Sequence, residues 1–192
     1  VELRVGGQAR VVFSFSNRIE MQLIEFQKKK IAVYWVKEGE GVPLVLLHGF
    51  CEDSGMWEEW LAFLPNRSVV CIDLPGFGNS DMLGNLSIES MADAVNAVLE
   101  NFSIKKCVLI GHSMGGYVSL AFAEKYPGKL SGLGMFHSHP FADSDEKKHA
   151  RNKSIDFIKS NGHILYVRQL IPNLFAYEYT KGYPISVNKL IH

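Results

Sequence analysis

The segment Cys107-Val108-Leu109-Ile110-Gly111-His112-Ser113-Met114-Gly115-Gly116-Tyr117 decides the reading of this chain. Residues 107–110 are apolar on both faces, as a buried parallel strand requires. Residues 114–126 read as a helix that stops at Pro127-Gly128. Ser113 therefore falls at a strand-to-helix junction, inside a G-x-S-x-G motif. Gly111 and Gly115 are needed there because a Cβ at either place would strike the neighbouring strand and helix. A turn that tight holds the serine in strained dihedrals and lifts its Oγ clear of the sheet. The start of the helix brings the Met114 N–H and a partial positive charge to the spot where an oxyanion would develop.

Working outward, short apolar runs alternate with helical-period segments from Met21 onward, the pattern of a parallel sheet covered on both faces. Residues 23–26 and 31–36 predict an opening hairpin across Lys28, Lys29 and Lys30. Residues 44–47 and 69–72 predict central strands, and residues 130–136 a last one. Helices are expected over residues 55–64 and 88–102. The second is the clearer, with Ser87 as cap and a stripe of Ile88, Met91, Ala92, Val95, Val98, Leu99 and Phe102. The fold class is α/β, a mostly parallel central sheet with helices on both faces. After Phe141 the alternation ends. A polar helix is expected over residues 145–160, followed by a stretch holding Tyr166, Phe175, Tyr177, Tyr179 and Tyr183. The domain reading is a leader over residues 1–20 with the natural start at Met21, a core over 21–140, and a helical cap over 141–192.

Composition narrows the function classes. The chain has 192 residues, 47% of them hydrophobic, with 20 basic and 20 acidic side chains, so no basic surface is concentrated enough to suggest nucleic acid as a partner. The longest apolar runs fall far short of the ~20 residues that span a bilayer, so no membrane partner is expected. Cys51, Cys71 and Cys107 are odd in number and widely spaced, which suggests neither a disulfide framework nor a zinc knuckle. A reducing compartment, by default the cytoplasm, is the expected setting. The oligomeric state has no signature in the sequence.

Three segments in order carry a resemblance: His48-Gly49-Phe50 after the strand at 44–47, Asp73-Leu74-Pro75-Gly76-Phe77-Gly78-Asn79-Ser80 after the next strand, and the motif around Ser113. Together they resemble the α/β-hydrolase fold superfamily, over about residues 23–136. The resemblance implies acyl transfer through an acyl-enzyme on Ser113, with the Phe50 N–H as a second oxyanion donor beside that of Met114. It implies that Gly49 lets the chain turn and that His48 packs or bonds beneath the loop. Serine at the nucleophile position sets the chain apart from the haloalkane dehalogenase and epoxide hydrolase branches, which use an aspartate there. The substrate is read as a small-molecule ester, lactone, thioester or related acyl compound, with no metal or organic cofactor.

Asp73 is read as a loop-fixing acceptor. The phosphate-cradle alternative for Gly76-x-Gly78 lacks a third glycine and a following helix. A serine nucleophile needs a base and an acid to hold it, and the resemblance places both after later strands. The chain is accordingly read as C-terminally truncated, with the last strands of the fold missing and residues 130–136 left as an exposed edge. His137, His139, His149, His163 and His192 follow Ser113 without the expected strand context, and Asp143 or Asp145 remains open as the acid.

His137-Ser138-His139-Pro140 also resembles the JAMM metalloproteases. Lys147 and Ala150 stand where that pattern demands Ser and Asp, so His137 and His139 are read instead as pocket-lining, substrate-binding residues. The aromatic stretch of the cap suggests a small acyl or alkyl substrate, or is simply cap core. Two alternatives stay beside the serine hydrolase: a non-catalytic binding protein of the same fold, and a metal-dependent hydrolase at His137 and His139.

Overall fold

The structure, a computed structural model, describes residues 19–36, 39–64 and 66–189. The chain enters through an antiparallel hairpin of β1 (Ile19–Phe26) and β2 (Lys29–Val36). Gln27 and Lys28 turn it with φ of +51° and +60°, the mirror-image turn whose twist matches that of the strands. Asn or Gly usually marks such a turn, and neither is present.

β2 runs antiparallel to β4 (Arg67–Ile72). β3 (Glu40–Leu47) lies parallel to β4 on one side and to β5 (Cys107–His112) on the other. β6 (Leu130–Phe136) is parallel to β5, giving the order β1-β2-β4-β3-β5-β6. The expected α/β sheet is therefore present, antiparallel only where the hairpin joins it.

The period-2 geometry of the central strands divides their side chains between two cores. Val45, Leu47, Val70, Ile72 and Leu109 face one way, against Val95, Val98 and Leu99 of α2 (Ile88–Asn101) and Phe122 of α3 (Met114–Lys125). Leu46, Val69 and Cys71 face the other way, against Trp57 and Leu61. Ser87 and Ser90 form a reciprocal capping box at the start of α2, as the cap expectation requires.

The helix expected over residues 55–64 is instead a 3₁₀ turn, Ser54–Trp57, running into one turn of helix, α1 (Glu58–Leu61). Asp53 accepts from the Gly55 N–H and draws the segment into a tight start, and little length is left before Pro65. Cys51, Cys71 and Cys107 are all free thiols, and burial pushes Cys71 up to about 12 and Cys107 up to about 11.

The expected leader is corrected at one end: Ile19 and Glu20 pair with Val36 and Trp35, because β2 is long enough to offer both of them partners. Residues 1–18 of that leader lie outside the described residues.

From Phe141 the chain forms a second unit. It consists of α4 (Asp145–Asn161), α5 (His163–Asn173), α6 (Tyr177–Gly182) and α7 (Pro184–Lys189), with no strand among the described residues. Ser144 caps α4 through the Lys147 N–H, and Gly162, at φ +83°, separates α4 from α5. No helix among the described residues is long and apolar enough to cross a membrane.

Candidate active site

Ser113 joins β5 to α3 at φ +49° and ψ −112°, a conformation that side-chain-bearing residues rarely adopt. Such strain persists only where the surroundings over-determine it. Three hydrogen bonds do so here. The Ser113 N–H donates to the Phe136 carbonyl at 3.0 Å, and the Ser113 carbonyl accepts from the Gly116 N–H at 3.0 Å and from the Ser138 Oγ at 2.8 Å.

The glycines are sterically required. A Cβ on Gly111 would lie 2.1 Å from the Gly115 carbonyl oxygen. One on Gly115 would lie 2.6 Å from the His48 oxygen and 2.7 Å from that of Leu47. The elbow thus packs backbone to backbone against the end of β3, which brings the His48-Gly49-Phe50 loop to the serine. A Cβ on Gly49 would sit 3.2 Å from the Ser113 Cβ.

His48 is fully buried and both its ring nitrogens are committed. Leu74 N–H donates to Nε2 at 2.9 Å, so Nε2 carries the lone pair and Nδ1 the hydrogen. Nδ1–H in turn donates to the Gly49 carbonyl at 2.7 Å. In a planar trans peptide C=O and N–H point in opposite directions, so pinning the Gly49 oxygen aims the Phe50 N–H away from His48. Burial holds the imidazole below its ordinary range, against the raising effect of the Gly49 carbonyl. His48 is a neutral brace of the loop. Among the described residues neither the Phe50 nor the Met114 N–H has a protein acceptor.

Asp73 does what a loop-fixing acceptor does. Its Oδ1 accepts from the Ser54 N–H at 2.8 Å, and its Oδ2 accepts from the Asn79 N–H at 2.9 Å and the Tyr34 hydroxyl at 3.3 Å. A Cβ on Gly78 would lie 2.2 Å from that Oδ2, so the turn closes directly over the carboxylate.

Two residues of the site carry no motif in the sequence. Ser138, two residues past the end of β6, braces the nucleophile's carbonyl. Glu52 accepts from the Gly49 N–H at 2.8 Å and bonds the His112 Nδ1 at 2.8 Å through the same oxygen, Oε2. Position within the fold was their only possible signal.

His137 and His139 do lie at the carboxyl end of β6, close to the elbow. The His137 ring, on a residue with φ of +48°, packs against those of Phe136 and His112, and the His139 ring against Tyr117. Their rings therefore have different neighbours, and among the described residues no three His, Cys, Asp or Glu side chains group closely enough to hold a metal ion. No histidine nitrogen among the described residues is hydrogen-bonded to the Ser113 Oγ.

A mostly parallel sheet, a serine at left-handed φ on a strand-to-helix elbow and a glycine loop packed against it define a hydrolase-type α/β scaffold. The family pattern described as the alpha/beta hydrolase fold matches residues 42–156, and the chain belongs to that family.

It is similar to a 2-succinyl-6-hydroxy-2,4-cyclohexadiene-1-carboxylate synthase of Enterobacter sp. (strain 638), 33% identical over 115 residues, 59% of this chain and 45% of that one. It is also similar to a pimeloyl-[acyl-carrier protein] methyl ester esterase of Aeromonas hydrophila, 38% identical over 112 residues, 56% and 42% of the two chains. Among solved structures, a thermophilic esterase from Thermogutta terrifontis superposes with a TM-score of 0.76 at 30% identity, over 90% of this chain and 65% of that one. The chain thus spans less than half the length of these two curated relatives.

Proposed function

We propose that the protein is a serine hydrolase that cleaves a carboxylic ester, lactone or similar acyl bond through an acyl-enzyme on Ser113. The observation that carries this reading is Ser113 at the strand-to-helix elbow, held at φ +49° and ψ −112° by three hydrogen bonds between the close-packed Gly111 and Gly115.

In the reaction, Ser113 Oγ attacks the acyl carbon as its proton passes to a base. The oxyanion that forms is held by the N–H groups of Phe50 and Met114. The base returns the proton to the leaving alkoxide, and water then releases the acyl group by the same steps in reverse roles. The base and the acid that holds it follow, on this reading, the order serine, acid, histidine that the resemblance implies. No cofactor enters these steps.

The substrate is a small acyl compound. The aromatic side chains from Phe141 onward, in the stretch that the sequence reads as a cap, favour an apolar acyl or alkyl body over a charged one. His137 and His139 line the pocket. Three free thiols suit a reducing compartment such as the cytoplasm.

The test is turnover of a short p-nitrophenyl ester by the natural gene product. Ser113→Ala is expected to lower kcat by about 10⁴-fold or more, leaving what oxyanion donors and binding supply alone. A mutant as active as the wild type would overturn the assignment. No turnover by either protein, together with retained binding of an acyl ligand, would favour a non-catalytic binding protein.

A further inference from the structure

The two proposed oxyanion donors belong to different segments. Phe50 follows β3 and Met114 follows β5, and the last pair in the ladder between these strands is Leu47 with Gly111. Beyond that pair the ladder no longer sets the distance between the segments. Yet displacing a donor by a fraction of an ångström weakens its hold on an oxyanion sharply.

Glu52 spans the gap. Its Oε2 accepts from the Gly49 N–H at 2.8 Å, on the peptide immediately before the one that presents the Phe50 N–H. The same oxygen bonds Nδ1 of His112, the residue immediately before Ser113, at 2.8 Å. The contact is part-buried, with the His112 side chain 19% and the Glu52 side chain 35% exposed. The His112 ring is also wedged against Phe136 and His137, so it is a firm anchor for the carboxylate. A Cβ on Gly49 would lie 2.5 Å from that Oε2, so the carboxylate can close on the loop only because residue 49 is glycine.

We propose that Glu52, anchored by His112, is a positioning residue that ties the Phe50 loop to the nucleophile's strand and so sets the spacing of the two oxyanion donors. The role rests on the acyl-transfer reading of Ser113. It assigns Glu52 no contact with the substrate and no share in proton transfer. Its effect falls on the transition state, in which the oxyanion exists, and spares the ground state, in which it does not.

The test is steady-state turnover of p-nitrophenyl acetate by the natural gene product and its Glu52→Ala, Glu52→Gln, His112→Ala and Ser113→Ala variants, with the affinity of an aryl trifluoromethyl ketone as a second readout. Glu52→Ala is expected to lower kcat by about tenfold to a hundredfold with KM nearly unchanged, somewhat less than outright removal of a donor. It should weaken the ketone, which binds as an oxyanion, by a similar factor. Glu52→Gln keeps an oxygen that can accept both bonds and should restore most of kcat. If Glu52→Ala does not fold, His112→Ala, which cuts only the strand side of the tie, is expected to show the same selective loss of kcat and of ketone affinity.

A kcat within twofold of wild type in Glu52→Ala or His112→Ala, while Ser113→Ala is inactive, overturns the positioning role and leaves the acyl-transfer reading standing. Equal losses in kcat and in ground-state binding also overturn it. Full turnover by Ser113→Ala overturns the reading beneath it, and the role with it.

Discussion

Gly115 packs backbone to backbone against Gly111 and the end of β3, and this makes the elbow brittle to a single methyl group. A Cβ on Gly115 would lie within 2.7 Å of two carbonyl oxygens at the end of β3, and neither is the far end of a flexible side chain. Gly115→Ala is therefore expected to cost about 1–3 kcal/mol of stability and to lower turnover, checked by urea melts alongside the ester assay.

His48 carries a prediction of a different kind. Its folded pKa lies below its unfolded value, so below about pH 6.5 the unfolded chain binds a proton that the native imidazole does not. Its contribution to stability is complete above that pH and is lost as the pH falls toward the lowered native value. His48→Gln should flatten this part of the stability profile. At pH 8 it should cost about 1–3 kcal/mol, because the Leu74 N–H or the Gly49 carbonyl loses its buried partner.

The structural side of the His48 and Asp73 readings is legible through the resemblance that their glycine turns carry. Glu52 and Ser138 are not legible in that way. Each bonds a segment far away in the chain, Glu52 to His112 and Ser138 to Ser113, and no local spacing announces such a tie.

Among the elements, α2 is the one whose boundaries and buried face follow most directly from its residues. Both the cap and the 3.6-residue stripe point to the same helix, and Ala92, Val95, Val98 and Leu99 are fully buried. Ser87→Ala removes the side chain that accepts from the Ser90 N–H and is expected to cost about 1 kcal/mol. Leu99→Ala, by contrast, should cost about 2–5 kcal/mol. Thermal melts of the two variants, read against each other, separate the end of the helix from its face.

The opening hairpin is legible from its two apolar runs and the lysines between them, but the turn itself falls at Gln27-Lys28, a pair that does not usually mark a mirror-image turn, and Lys29 and Lys30 already belong to β2. The apolar spacing of residues 55–64 resembles a longer helix, whereas the Asp53 cap and Gly55 favour a 3₁₀ start, and α1 is left with one turn. β6 pairs only with β5, and Leu133 on it is 42% exposed, so it stands at the edge of the sheet among the described residues.

For the whole molecule, the α/β class follows from alternating short apolar runs and helical stripes, but the strand order does not. Nothing local indicates that β2 pairs with β4, or that β3 enters between β4 and β5. That order matters to the site because it sets the ends of β3 and β5 side by side and so brings Phe50, Glu52, His112 and Ser113 together. The change of pattern near Phe141 coincides with the start of the second unit.

Labelling tests the central claim most directly. The natural gene product is treated with a fluorophosphonate, digested and mapped by mass spectrometry. The account predicts one stable phosphonyl adduct, on the peptide containing Gly111 to Tyr117 and at Ser113, formed in step with loss of ester turnover. Ester turnover lost with the adduct on another residue, or persisting with Ser113 fully modified, would contradict it.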